Sequence, residues 1–169
     1  MGNVAQKRTI RPLYANTQAT PWGGYLDPAW DRSVDIYPGM VLAKGPTPGE
    51  TFTLATNMTQ RALGLSALFV APVLGIDEVK SSGANNLTCW VGGPDAFFEI
   101  LAPAFDPTAN WTLPTDGTRK LLTFTVTGHP KGAGLVTVLG TANASTSVVA
   151  DLVNVVGTSK IIIRLNVVA

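Results

Sequence analysis

The chain has 169 residues, enough to bury the core of one compact domain without help from a metal or a disulfide. Only 14% of its residues are charged and the net charge is +1, so it lacks the basic surface that nucleic-acid binding normally needs. A single cysteine and a single histidine argue against a disulfide framework and most metal sites, and no apolar run approaches 18 residues. We therefore expect no cofactor, no nucleic acid and no membrane partner.

Residues 1–35 combine prolines, glycines and spaced aromatic side chains with little apolar periodicity, which predicts extended backbone. The first 26 residues hold three cationic side chains and no Asp or Glu. Such a segment orders by lying on a surface, and its aromatic residues serve as anchors there. That surface is either a partner protein or the body of the chain itself. We predict an extended N-terminal arm over 1–35, with these candidate partner-binding residues: Lys7, Arg8, Arg11, Tyr14, Trp22, Tyr25 and Trp30.

Residues 36–169 are predicted to form a single β-rich domain. Strand-like residues 40–43 and the alternating residues 51–54 flank a turn rich in Pro and Gly, which indicates a hairpin. Residues 57–64 fit one short helical turn that Gly64 would end. Residues 65–74, mostly apolar but broken by Pro72, fit a buried strand.

The middle of the chain alternates turn signals with apolar runs. A polar cluster at 81–86 predicts a loop, and 87–91 and 96–101 read as two strands of a hairpin joined by the tight turn at 92–95. Residues 102–118 contain three prolines and Trp111. A loop of that length within a compact domain is typically functional or part of an interface.

The C-terminal third has the highest density of β-branched residues. Segments 121–127 and 134–140 are predicted strands, and 148–156 and 160–168 form a hairpin around 157–159. Residues 148–156 also fit a helical face, but five valines in nine residues favour a strand. The predicted fold is mainly β, a compact β-barrel or β-sandwich with short helical turns and the N-terminal arm.

Potential reactive groups each have a simpler structural explanation. His129 lies in a Gly-rich turn with no positioning partner or nucleophile nearby in the sequence, so we expect a solvated turn histidine. Cys89 is expected to be a small buried hydrophobic residue, and Trp90 and Trp111 are expected in the core rather than on a stacking platform. Asp95, Glu99 and Asp106 do not reproduce the spacing of a calcium loop. No catalytic residue is predicted, and the chain is not expected to be an enzyme.

Four features together resemble tailed-bacteriophage head decoration proteins: the aromatic arm, the Tyr-Pro-Gly-Met-Val-Leu-Ala entry at 37–43, the Trp-Val-Gly-Gly-Pro-Asp turn at 90–95 and the valine-rich terminal hairpin. The resemblance implies a non-enzymatic virion structural protein that binds the outer capsid surface and stabilises contacts between capsomers. It implies the major capsid protein as partner, a homo-oligomer with a trimer favoured, and synthesis in the bacterial cytoplasm before assembly. The arm would then add a strand to an exposed edge of a capsid subunit, and its cations would meet acidic capsid surface.

Two other functional classes remain open. The alternative is another virion component, a phage tail or neck structural protein or a glycan-binding adhesin, with its aromatic residues facing outward on a loop such as 102–118. The third class is a small β-barrel hydrolase, which would need a polar constellation that the sequence does not display.

Overall fold

The computed structural model describes residues 9–13, 19–30, 34–67, 86–93 and 95–166, and the regular structure in these ranges is entirely β. Within these ranges no helix is long and apolar enough to cross a membrane. The described residues form eleven strands: β1 Ile10–Pro12, β2 Thr20–Leu26, β3 Val41–Lys44, β4 Thr51–Leu54, β5 Ala62–Ser66, β6 Asn86–Val91, β7 Phe97–Leu101, β8 Leu121–Phe124, β9 Val136–Val138, β10 Ala150–Val156 and β11 Lys160–Leu165.

Five strands close into a barrel in the order β2-β4-β3-β5-β6. The pairing of β2 with β4 is parallel, and the other described pairings are antiparallel. Strand β2 alternates between its two faces: Trp22 and Leu26 are more buried than the exposed Pro21 and Tyr25. Because a strand points successive side chains to opposite faces, β2 contributes one face to the barrel interior and one to the surface.

The remaining strands form an open sheet in the order β1-β7-β11-β10-β8-β9. Strand β11 shows why this sequence forms a strand, since Ile161, Ile163 and Leu165 are fully buried while the residues between them are partly exposed. That period-two pattern covers one face of the sheet with apolar side chains. Strand β1 ends the sheet on one side, pairing antiparallel with β7.

One hydrophobic core joins the barrel to the open sheet. Phe52 and Leu54 from the barrel belong to the same buried cluster as Phe98 and Phe124 from the sheet. Trp90 on β6 also contacts Phe98 on β7, with ring centroids 5.8 Å apart. The two sheets therefore share one core.

Several sequence predictions about local pairing are confirmed. Strand β3 pairs with β4 and β10 pairs with β11, each antiparallel as predicted. The predicted strand segments 121–127 and 134–140 contain β8 and β9, which also pair antiparallel. Segment 148–156 forms a strand from Ala150 onward, and Gly157 takes a positive φ of 62° in the turn that follows. Of the predicted strand at 65–74, only the first two residues form a described strand, because β5 ends at Ser66. Residues 68–85 lie outside the described ranges.

Two local predictions are wrong. No helical turn forms over 57–64: residues 57–60 make a tight turn closed by the Gln60 N–H donating to the Asn57 carbonyl, and the chain then enters β5. Strands β6 and β7 do not form a hairpin, because β6 pairs with β2 and β5 in the barrel while β7 pairs with β1 and β11 in the open sheet. The turn signature indicated a reversal of the chain but not its pairing partner.

The described strands of residues 1–35 are extended and pair within the chain. Strand β1 lies along β7, and β2 lies between β6 and β4 as a full member of the barrel. This segment was expected to lie either on a partner protein or on the body of the chain itself, and both described strands lie on the body of the chain. The division between arm and domain at residue 35 stays a prediction.

Candidate functional site

The predicted partner-binding residues that the structure describes on strands are divided between the two sheets. Lys7, Arg8 and Tyr14 fall outside the described residues. Arg11 is on β1, at the edge of the open sheet, whereas Trp22 and Tyr25 are on β2 of the barrel. The structure therefore does not gather the described members into one cluster.

Arg11 combines an internal ion pair with exposure. Its Nε lies 2.8 Å from Glu99 Oε1, and a terminal guanidinium nitrogen donates to Glu99 Oε2 at 3.0 Å. Lys160 Nζ lies 3.0 Å from the same Oε2. Burial raises the pKa of Glu99, but hydrogen bonds and charge from Arg11 and Lys160 outweigh burial and hold it below its ordinary value. The side chain of Arg11 is still 63% exposed, so its guanidinium is also accessible from outside.

The described aromatic residues of 1–35 differ in how exposed their side chains are. Trp22 packs edge-on against Phe52 with ring centroids 5.4 Å apart, and Trp30 is partly buried against the core. Tyr25 is 49% exposed, beside a surface cavity of about 390 Å³. Among the described aromatic residues of 1–35, Tyr25 presents the largest free surface to a partner.

The loop at 102–118 is ordered by aromatic packing and lines a second cavity. Trp111 Nε1 donates to the Asp106 carbonyl at 2.8 Å, and its ring packs edge-on against Phe105 at 5.5 Å. A cavity of about 430 Å³ separates this loop from the β10-β11 hairpin. Trp111 is thus partly in the core, as expected, and also lines a surface groove with Leu113 and Val155.

The expectation of a solvated His129 is wrong. Its side chain is buried, with Nε2 3.3 Å from Asp106 Oδ2, and its Nδ1 accepts the Lys131 N–H at 3.2 Å. Thr137 donates to the same Asp106 oxygen at 3.0 Å. The partner of His129 lies 23 positions earlier in the chain, which is why the local sequence did not reveal it.

This buried Asp, His and Thr group does not have the geometry of a hydrolytic triad. The Thr137 hydroxyl bonds the carboxylate rather than the imidazole, and both imidazole nitrogens already have partners. All three side chains are also inaccessible to a substrate. The group ties the loop at 102–118 to β9 and to the turn before it. Over the described ranges, no group of three His, Cys, Asp or Glu side chains is placed to hold a metal ion.

Cys89 and Trp90 occupy the positions expected of them. Cys89 is fully buried, and burial raises the pKa of its thiol to about 12, so the thiol stays protonated and unreactive. Trp90 is partly buried against the core, on Phe98.

A buried carboxylate on β10 accepts hydrogen bonds from three side chains, and this cluster was not predicted from the sequence. Arg119, Arg164 and Asn166 all donate to Asp151 Oδ2, and the Arg164 bond is 2.8 Å long. Asp151 is directly opposite Arg164 in the β10-β11 pairing. Burial raises the pKa of Asp151, but hydrogen bonds and charge from Arg119 and Arg164 outweigh burial and lower it below its ordinary value of 3.8.

Replacing Asp151 with Asn is expected to lower the free energy of unfolding by about 2 kcal/mol at neutral pH, because two arginines lose their counter-ion. The figure is below that for a fully buried pair because both arginine side chains reach solvent. A lowered folded-state pKa stabilises the fold above the unfolded pKa and loses that effect as the pH falls through the folded value. Urea unfolding should therefore show a difference between the two proteins at pH 7 that shrinks below pH 3.8. A difference that is constant over this range would contradict the ion-pair account.

Beside this cluster, the seam between the barrel and the open sheet contains a cavity larger than the two described above. Its volume is about 740 Å³. Ala62 at the start of β5 donates its N–H to the Ser147 hydroxyl at 3.1 Å, which ties the two sheets together there. The described residues that line it are Arg61, Ala62, Gly92, Gly93, Arg119, Leu121, Ser147, Val148, Leu165 and Asn166.

Comparison with known proteins gives one family. A family model described as phage cement protein matches the whole chain, residues 1–169. Searches of curated proteins and of solved structures each returned no match. The description of the family as a cement protein indicates a structural, capsid-stabilising role in the virion, which agrees with the resemblance seen in the sequence. On the strength of a match that spans its full length, this chain belongs to the phage cement protein family.

Proposed function

We propose that this chain binds the outer surface of the phage capsid and stabilises the contacts between capsomers, as a non-enzymatic component of the virion. The observation that carries the proposal is the match of all 169 residues to the phage cement protein family. The partner is the major capsid protein. A barrel without free strand edges suits a surface protein, because it leaves fewer unpaired backbone groups for unwanted association.

The capsid contact in this proposal includes residues 1–35. Of the predicted partner-binding residues, Tyr25 and Arg11 are described and exposed, and Lys7, Arg8 and Tyr14 lie close to β1 in the sequence. Trp22 and Trp30 hold the segment on the chain's own core and offer the partner only the parts of their rings that stay exposed. The cationic residues meet acidic capsid surface, which increases the rate and specificity of association.

Strand β1 offers a second kind of contact. It ends the open sheet, and its residues Arg11 and Pro12 are exposed. A capsid strand can pair with this edge over a short stretch, because Pro12 lacks the N–H that a longer ladder would use. The edge of β1 therefore suits pairing with one short strand rather than aggregation with many chains.

Self-association completes the proposal, with a homotrimer favoured. Val153 and Val156 on β10 and Leu113 on the loop at 102–118 are large apolar side chains that are exposed in the single chain. Burying them between copies removes apolar surface from water, and several copies multiply weak capsid contacts into high avidity. Light scattering of the purified chain measures the number of copies directly.

The proposal is tested by sedimenting the full chain with undecorated expanded phage heads. We expect the chain to co-sediment, and Tyr25→Ser to weaken binding about tenfold because it removes an exposed aromatic anchor. Met58→Ser is the matched control, since Met58 is equally exposed, at 53%, on the turn at 57–60. Deleting residues 1–35 is a poor test because it removes β2 from the barrel. A chain that stays in the supernatant at every concentration would contradict the proposal and direct the search to tail proteins and glycans.

A further inference from the structure

From the cavity beside Tyr25 on the outer face of the barrel, we infer a docking site for a Lys or Arg side chain of the capsid protein, held between the Tyr25 ring and the Glu50 carboxylate. This inference rests on the proposed function, because it names the chemistry of the capsid surface that meets Tyr25. It adds Gly23 and Glu50, which neither the family match nor the pattern of the sequence singles out as binding residues.

The first argument is a gap in the outer face of β2. Trp22 packs inward on Phe52, so the alternation of the strand turns Gly23 and Tyr25 outward. A Cβ built at Gly23 meets no atom within 4 Å, so this position opens to free space. On β6, Thr88 lies directly opposite Gly23 in the antiparallel pairing. The missing side chain at Gly23 therefore leaves a recess between Tyr25 and Thr88, within a cavity of about 390 Å³. That volume is at the small end of ligand pockets and suits one long side chain.

The second argument is the charge of this cavity. Among the described residues that line it, Glu50 is the one that carries a charge, and it is exposed. Glu50 takes part in none of the ion pairs formed among the described residues. Lys44 on β3 bonds the neighbouring Gly49 carbonyl and the Thr51 hydroxyl instead. A carboxylate with no ion-pair partner beside a recess favours a cationic group there.

The third argument is the pairing of an aromatic ring with a carboxylate. The Tyr25 N–H donates to the Glu50 carbonyl at 2.8 Å, which fixes these two residues side by side where β2 meets the start of β4. An aromatic face attracts an ammonium or guanidinium group through the cation–π interaction, and a carboxylate attracts the same group through charge. The aliphatic stem of Lys or Arg can lie along the recess at Gly23 while its charged end stays near Glu50 and water. Both groups therefore favour a basic side chain over an acidic or a purely apolar one.

Filling the recess is the sharpest test, because it blocks binding without removing a packing contact. Gly23→Thr places a β-branched side chain, which strands favour, where no atom lies within 4 Å of the new Cβ. We expect this variant to unfold at the same temperature as the unaltered chain or higher. It should nevertheless bind undecorated expanded heads about tenfold more weakly in co-sedimentation. Gly23→Ala, which adds only one methyl group, should weaken binding less.

Neutralising the carboxylate tests the chemistry of the ligand. We expect Glu50→Gln, which keeps the size of the side chain, to weaken binding about fivefold, and this loss should shrink at high salt. Asp95→Asn is the matched control, because Asp95 is an exposed acid that is not among the residues lining the cavity. Tyr25→Phe keeps the aromatic face and should bind nearly as tightly as the unaltered chain, unlike Tyr25→Ser. Thermal unfolding of each free variant verifies that it is folded.

The outcomes separate this inference from the function on which it rests. If the unaltered chain binds heads and Gly23→Thr and Glu50→Gln bind as tightly as Asp95→Asn, the docking site is overturned and the capsid function stands. A loss for Gly23→Thr without a loss for Glu50→Gln would overturn the choice of a basic ligand. If the unaltered chain does not bind, the function itself fails. If these variants instead change the number of copies in the free protein, the occupant of the cavity is a second copy, and the assignment to the capsid protein is overturned.

Discussion

Phe52→Ala is expected to lower the free energy of unfolding by about 4 kcal/mol, the cost typical of removing a fully buried aromatic ring. Phe52 lies on β4 and packs against Trp22 on β2, and its ring also covers Gly24, where an added Cβ would come within 2.5 Å of it. The substitution therefore removes the aromatic contact between β4 and β2 that helps to hold β2 in the barrel. Urea unfolding followed by tryptophan fluorescence measures the loss.

Phe52→Leu is the control, because it keeps an apolar side chain at the site and should cost about 1 to 2 kcal/mol. The alanine variant should also change the environment of Trp22 in the folded state. A loss of less than about 1 kcal/mol for alanine would mean that the packing of β2 on β4 does not stabilise the barrel.

Gly64→Ala is expected to cost about 3 kcal/mol, because the added methyl group meets the backbone of the neighbouring strand. A Cβ at Gly64 would lie 2.1 Å from the Trp90 carbonyl oxygen and 2.6 Å from Cys89 Sγ. Neither a main-chain oxygen nor a fully buried sulfur can move aside cheaply, so β5 and β6 must separate. Thermal unfolding measures the drop in stability.

Gly23→Ala provides the control within the same barrel. Gly23 lies on β2, and a Cβ built there meets no atom within 4 Å. It should change the free energy of unfolding by less than about 0.5 kcal/mol. Equal losses from the two substitutions would show that the close approach of β5 and β6 does not limit residue 64.

The pairings that the sequence predicts correctly are short-range ones. Strands β3 and β4 are neighbours in the chain, as are β10 and β11, so a turn signal and apolar alternation are enough to identify these pairs. Strand β6 pairs with β2, more than sixty residues earlier, and no local pattern specifies that partner. The closure of the barrel depends on this pairing and could not be predicted from turns.

The charge clusters were hidden for a related reason. Counting back along the hairpin from the Val156 and Lys160 pair places Asp151 opposite Leu165. An irregularity between Leu152 and Asn154 shifts the register by one residue and brings Asp151 opposite Arg164. A one-residue bulge inside a valine-rich strand has no clear sequence signal. The pairing of His129 with Asp106 likewise depends on how two loops pack in three dimensions.

The predicted binding residues show which properties follow from the composition of the sequence and which depend on tertiary structure. The extended conformation of the described strands within 1–35 follows from the spacing of Pro, Gly and aromatic residues. Which aromatic side chain faces solvent depends on the alternation of β2 inside a closed barrel, and this leaves Tyr25 outside while Trp22 packs on Phe52. Arg61 and Arg119 lie 58 positions apart in the sequence and line one cavity only after both sheets have formed.

The most direct test of a cementing role is the temperature at which expanded heads break open, measured with and without saturating amounts of this chain. Because a ligand that binds only the intact shell shifts the equilibrium toward it, heads that carry the chain should open at a higher temperature. The shift should grow with the amount of chain bound and should be smaller for Tyr25→Ser than for Met58→Ser. Heads that bind the chain and open at an unchanged temperature would contradict the claim that it stabilises contacts between capsomers.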